Sequence, residues 1–273
     1  MSMWIDNDYC KLCLIYSRSK DLIDLGCGNK LPALLKKLAK IVDEENSRSK
    51  AFTSSFEYIK RVVKNKDPYQ EKKNVLKEIG KRIAQNIEKH IASVNWDIRE
   101  ALRISAAANI IDTNVLGYEN VHSLDEAIWD KPVIEDIPDI PKNEDIYLVL
   151  DNAGEAEVDK VLAKTLIHNG YKVFIVVRSK PYEIDVTIKD FEESNFNIIS
   201  TPGSISPIAY IDKGFVIAKG IANAEAYAEF GKTKSLHLLR AKCDVIAKKF
   251  GVPKNSVLIL SGDRIKKTFD KNS

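Results

Sequence analysis

Long apolar runs are missing from this chain. No stretch of its 273 residues approaches the roughly 18 consecutive apolar positions that a membrane span requires. Charge of one sign is missing too. With 42 basic and 39 acidic residues the net charge is +3, which gives no electrostatic case for nucleic acid or membrane as a partner. Cysteine is scarce: Cys10, Cys13, Cys27 and Cys243 are too few for a disulfide scaffold at this length, so reduced thiols are expected. The opening residues, MSMWIDNDYCKLC, lack the charged start and apolar core of a secretory signal, and a cytoplasmic protein is expected. There is no internal repeat and no low-complexity segment. What remains is an ordinary globular composition, 44% apolar and 30% charged, long enough for one large domain or two of ordinary size.

The pattern divides the chain. Up to about residue 130 it is helical: 31–45 aligns Leu31, Leu34, Leu35, Leu38 and Ile41, and 75–94 aligns Val75, Ile79, Ile83, Ile87 and Ile91. A third helix over 97–112 is rich in small residues, which permit close approach of a backbone or ligand. Residues 130–143, DKPVIEDIPDIPKN, read as a linker because of their prolines and acids. From 144 to 273 short apolar strands alternate with helices. Strands are predicted over 146–151, 171–177, 195–201, 214–220 and 235–241, with a helix over 155–168 that turns Val158, Val161, Leu162, Thr165 and Leu166 inward. The expected fold class is α/β: a helical N-terminal region (1–130) joined to a Rossmann-like, mostly parallel sheet domain (144–273).

In open α/β sheets ligands bind beyond the carboxyl ends of the strands. Taken in order, those ends carry Asp151, Asn152, Gly154 and Glu155, then Arg178, Lys180 and Asp185, then Lys219, Gly220, Asn223 and Glu225. Carboxylates with an amide oxygen suit a hard divalent ion, and a lysine beside a helix N-terminus suits phosphate. A metal beside a phosphate points to phosphoryl chemistry. Each piece alone also has a plainer reading. Asp or Asn before a helix is commonly a cap, Asp185 could serve a turn, and Lys219-Gly220 could be a strand end followed by a turn.

Together these segments resemble a known family. LDNAGEAEVDK, KPYEIDVT, AKGIANAEAY and RAKCDVIAKKFGV, with ALRISAAANIIDTN and YCKLC upstream, are similar in order and content to the signatures of the metal-dependent damage-control phosphatases. That family was once catalogued as domain of unknown function 89, and the match is to its stand-alone archaeal-type branch. The resemblance implies a divalent ion (Mn, Ni, Co or Mg) and hydrolysis of small phosphorylated metabolites such as sugar phosphates. It implies that Asp151, Asn152 and Asp185 are metal ligands and that Lys219 binds phosphate with Asn223 beside it. It further implies that Gly154 lies at the phosphate-facing helix start, and that Asn109 and Asp112 hold substrate from the helical side. Three departures stand out: Ile184 replaces the asparagine that usually precedes the second aspartate, Ala108 replaces a glycine before Asn109, and TPGSISPIAY (201–210) keeps a Thr-x-Gly but is otherwise irregular. Ile184 motivates an alternative, a phosphate-metabolite-binding protein without turnover.

LIDLGCGNK (22–30) offers a different function, the first motif of an S-adenosylmethionine-dependent methyltransferase. The helical pattern that follows it fits better with a glycine loop between two helices. Cys10 and Cys13 could form half a zinc site or a redox pair. His122, His168 and His237 show no paired spacing, and Arg103 and the RSK run (178–180) could hold phosphate or lie in solvent.

Overall fold

The computed structural model describes residues 4–110, 115–117, 123–191, 195–203 and 205–269. Helices come first: α1 (Asn7–Asp24), α2 (Leu31–Glu44), α3 (Arg48–Val63), α4 (Gln70–Ser93), α5 (Ile98–Ala107) and the short α6 (Leu124–Ala127). Local chemistry sets several of their starts. The Asp6 side chain accepts from the Asp8 and Tyr9 N–H groups, Ser47 from Lys50, and Asp97 from Glu100, each satisfying donors that a first turn leaves open. Strands and helices then alternate: β1 (Pro132–Glu135), β2 (Ile146–Val149), α7 (Ala153–His168), β3 (Val173–Arg178), β4 (Asn197–Thr201), β5 (Phe215–Lys219), α8 (Gly220–Phe230), β6 (Ser235–Arg240), α9 (Asp244–Phe250), β7 (Val257–Ser261) and α10 (Gly262–Phe269).

The strands form one sheet in the order β1-β7-β6-β5-β2-β3-β4. Every pairing is parallel except β6 with β7. The expected α/β class and mostly parallel sheet are therefore present, with two strands more than the sequence pattern marks. One of them, β1, lies inside the stretch read as a linker and pairs with β7. Pro132 opens β1 at the sheet edge, where a missing N–H interrupts no ladder.

One apolar core unites the helical region with a face of the sheet. It runs from Leu14, Leu34, Phe56 and Ile87 through Leu102 to Leu148, Ile175 and Ile217. The opposite face packs against α8, α9 and α10 through residues such as Ala224, Ile246 and Ile265. α7 is buried on nearly all sides, including every position expected to face inward. Two expected core positions lie outside instead: Leu35 and Val75 are 43% and 61% exposed. Residues 22–24 end α1 and Gly26 turns the chain at φ +72°, so LIDLGCGNK is a loop between helices and holds no strand for a methyltransferase motif.

Candidate active site

The chain winds outward from β2 through β3 to β4, then returns to place β5 on the other side of β2. The carboxyl ends of β2 and β5 therefore flank a topological switch point, where ligands of open α/β sheets bind. Asp151 follows β2, and the Lys219–Gly220 turn closes β5. Gly220 has φ +77°, and a Cβ there would stand 2.7 Å from the Asp151 carboxyl carbon. Only glycine gives both the left-handed backbone and the room for that carboxylate.

The segment after β3 doubles back onto the same point. Asn152 and Asp185 pair as an antiparallel bridge. The Ala153 N–H donates to the Ile184 carbonyl at 3.0 Å, and the Val186 N–H to the Asp151 carbonyl at 2.9 Å. Backbone pairing thus sets Asp185 beside the 151–152 pair. Asn152 occupies the N-cap position of α7, but its side chain makes no capping bond. Its amide nitrogen donates instead to Glu155 Oε1 at 3.2 Å. Asn109, just past α5, donates to Glu155 Oε2 at 2.7 Å and to Asp151 Oδ2 at 3.3 Å, while its own oxygen accepts from the Arg240 N–H at 3.3 Å. Asn109 therefore meets the strand ends from the helical side, but it is fully buried and does not line the cavity that they border. Asp112 and His122 lie outside the described residues.

Asp151, Asn152 and Asp185 line one cavity of about 100 Å³, closed on the far side by α1, α3 and α8. Two carboxylates and an amide oxygen are a hard donor set that fits a divalent cation. Among the described residues no three His, Cys, Asp or Glu side chains cluster as a metal site. Among the described residues the cations on the cavity wall are Arg178, whose Nε donates to Asp185 Oδ2 at 2.5 Å, and Arg48, ion-paired with Glu225 of α8. Arg178 was visible in the sequence as part of the RSK run. Arg48 carried no signal there, because SRSKAF reads as an exposed helix start.

Lys219 does not line this cavity. It is fully buried, with its ammonium 3.1 Å from Asp159 Oδ1 and bonded to the Ser105 carbonyl and hydroxyl. Ser105 Oγ also donates to Asp159 Oδ1 at 2.6 Å. Asn223 closes the turn, donating to the Lys219 carbonyl at 2.9 Å and accepting from the Ile208 N–H at 3.5 Å. Gly154, in the first turn of α7, packs against α4; a Cβ on Gly80 would stand 3.0 Å from its carbonyl carbon. Burial pushes the Glu155 carboxyl above the ordinary range against the lowering pull of Lys242 and Lys219. Burial raises Asp159 likewise, opposed by Lys219. Lys242, from RAKC, thus belongs to the charge layer beneath the cavity, a residue the sequence reading did not single out.

Two of the departures from the family pattern sit behind the site, while Ser206 of the third lines the cavity. Ile184 and Ala108 are buried in the apolar core and neither lines the cavity. Cys10, Cys13 and Cys243 do line it, and burial raises the Cys10 and Cys243 thiols, which opposes the thiolate form that metal binding needs. Arg103 is engaged with Glu135 at 3.0 Å, and Lys180 is exposed. His168 stacks on Trp96 with ring centroids 5.0 Å apart, and His237 is buried against Tyr227.

Comparison with known proteins shows the family and the fold. Residues 11–201 match the damage-control phosphatase ARMT1-like domain. A damage-control phosphatase of Pyrococcus horikoshii is 26% identical over 248 residues, covering 82% of this chain and 85% of its own. A damage-control phosphatase of Archaeoglobus fulgidus is 26% identical over 210 residues, covering 68% and 73%. The crystal structure of a DUF89 family protein from Pyrococcus horikoshii superposes with a TM-score of 0.75 at 24% identity, over 93% of this chain and 97% of that one, and so shares the fold. The domain match spans most of the chain, and the protein belongs to the damage-control phosphatase ARMT1-like family.

Proposed function

We propose that the protein is a metal-dependent phosphatase that hydrolyses small phosphorylated metabolites, with Asp151, Asn152 and Asp185 as the ligands of a divalent ion (Mn, Ni, Co or Mg). The observation that carries this reading is the Asn152–Asp185 bridge, which gathers hard oxygen donors from two distant segments onto one cavity wall. Held by Asp151, Asn152 and Asp185, a divalent ion would supply polarisation of a phosphoryl oxygen and acidification of a water. The chain's own groups supply the rest. Arg178 orients Asp185 through its Nε, and Asn109 holds Asp151 and Glu155 in register. Arg178 and Arg48 offer positive charge to a phosphate entering the cavity. Lys219, with Asn223 bracing its turn, acts from beneath the floor, where its charge balances Asp159 and Glu155. Gly154 stands in the first turn of α7, two positions after Asn152, and its carbonyl lies against Gly80 of α4.

Incubation with a generic phosphate ester and Mn, Co, Ni or Mg tests the reading. Phosphate release is expected with metal, lost with chelator, and lost in Asp185→Asn. Release that survives chelation, or that survives Asp185→Asn unchanged, refutes it. Binding of a phosphate ester without turnover would instead favour the binding-protein alternative. The structure gives that alternative no apolar intrusion at Ile184.

A further inference from the structure

A buried network of charged and aromatic groups runs from α1 to Tyr182 and Glu183 on the cavity wall. Arg18 of α1 is fully buried. Its guanidinium is ion-paired with Asp21 on its own helix and with Glu183, 165 residues further along the chain. It donates to Ser55 Oγ at 3.0 Å and to the Tyr182 hydroxyl at 3.2 Å. The Tyr69 hydroxyl donates to Asp21 at 2.6 Å. The Phe52, Phe56 and Tyr182 rings lie within 5.2 to 5.8 Å of the guanidinium. Arg178, which holds Asp185, stands 4.3 Å from the centroid of the same Tyr182 ring. Tyr182 is thus shared by two guanidinium groups, one from the helical region and one from the sheet.

Stability alone does not call for such a network. Desolvating a guanidinium with its carboxylates is costly, and apolar replacements of similar volume commonly do as well or better. What the network specifies is position. Tyr182 and Glu183 begin the turn that ends in Asp185, and the Asp185 N–H closes it on the Tyr182 carbonyl at 3.0 Å. Glu183 sits at φ +43°, a left-handed conformation that a non-glycine residue holds only when its surroundings impose it.

We propose that Arg18 is a positioning residue for Asp185. By gripping the Tyr182 hydroxyl and the Glu183 carboxylate it holds the strained turn in place, so that a helix of the N-terminal region sets the ion affinity of a site on the sheet. The inference rests on the metal-phosphatase reading above.

Calorimetric titration with Mn²⁺, beside the melting temperature of the metal-free protein, tests it. Glu183→Gln keeps the shape of the side chain and removes the ion pair. Arg18→Lys keeps every charge of the cavity but loses the fork that spans Tyr182 and Glu183. Both variants are expected to bind Mn²⁺ roughly ten- to a hundredfold more weakly, as loss of groups that orient a ligand does. Should Arg18→Lys fail to fold, Tyr182→Phe also preserves every charge and is expected to weaken binding in the same direction by a smaller factor. Wild-type affinity in the variants overturns the inference. So does weakened binding confined to Glu183→Gln, which would assign the effect to the local charge of Glu183. A wild-type protein that binds no Mn²⁺ fails the metal reading itself, whereas wild-type binding with unaffected variants fails only the role of Arg18.

Discussion

Gly220 shows how one residue joins backbone freedom to site chemistry. Its φ of +77° and the nearness of the Asp151 carboxylate leave no space for a side chain. Gly220→Ala is expected to lower stability by about 1–3 kcal/mol through the strained backbone. Because the new methyl displaces Asp151, it should also cost on the order of a hundredfold in turnover, the scale of a 1 Å misplacement. A melting curve and steady-state kinetics on the variant check both. A variant with normal turnover would place Asp151 outside the chemistry. Asp151, Asn152 and Asp185 were legible in the sequence because strand ends in α/β sheets carry function and because their segments have a recognisable form. Lys219 was legible as a residue but not in its buried position. Its burial beside Asp159 and Ser105 depends on α5 and α7 meeting over the sheet, which no local pattern records.

At the scale of elements, α4 and α7 share the most extensive helix–helix contact among the described residues. Gly80 allows it, since a Cβ there would press on the Gly154 carbonyl. Gly80→Ala is expected to part the two helices and cost about 1–3 kcal/mol, as overpacking does. Gly154 follows Asn152 by only two positions, so metal affinity should fall with stability. A shift in denaturation midpoint together with weaker Mn²⁺ binding checks this; a stability loss with unchanged binding would separate the helix packing from the site. The helices over 31–45, 75–94 and 155–168 were readable because their buried faces repeat at helical spacing. α1 was hidden because its buried face carries Ser17, Arg18 and Asp21 among the apolar positions. β7 was hidden because four apolar residues in a row do not distinguish a strand from a helix. β1 was hidden because prolines read locally as punctuation.

For the whole molecule, the acid response should carry the mark of His237. Burial pulls its pKa down to about 3, and its Nδ1 has no hydrogen-bond partner among the described residues. In the unfolded chain the same imidazole takes its proton near 6.5. Between those values the unfolded state binds the extra proton, so folding stability declines as pH falls from about 6.5 towards 3. Glu155 and Asp159, raised by burial, act in the opposite sense, since their contribution fades as pH rises through their folded-state values. Comparing wild type with His237→Gln cancels these carboxylates. Melting temperatures from pH 7 down to pH 4 are expected to fall more steeply in wild type; parallel curves would refute the assignment. Among the described residues no helix is long and apolar enough to cross a membrane, in keeping with the lack of long apolar runs.

The sequence by itself determined the alternation of strands and helices, the α/β class and the residues set at the strand ends, because these follow from local spacing of apolar, small and acidic side chains. Only the tertiary structure decided which of those ends share a cavity, that Lys219 lies beneath it, and that Arg18 reaches from the first helix to the turn carrying Asp185. Those are contacts between segments far apart in the chain, and they exist only once one apolar core has drawn the helices onto the sheet.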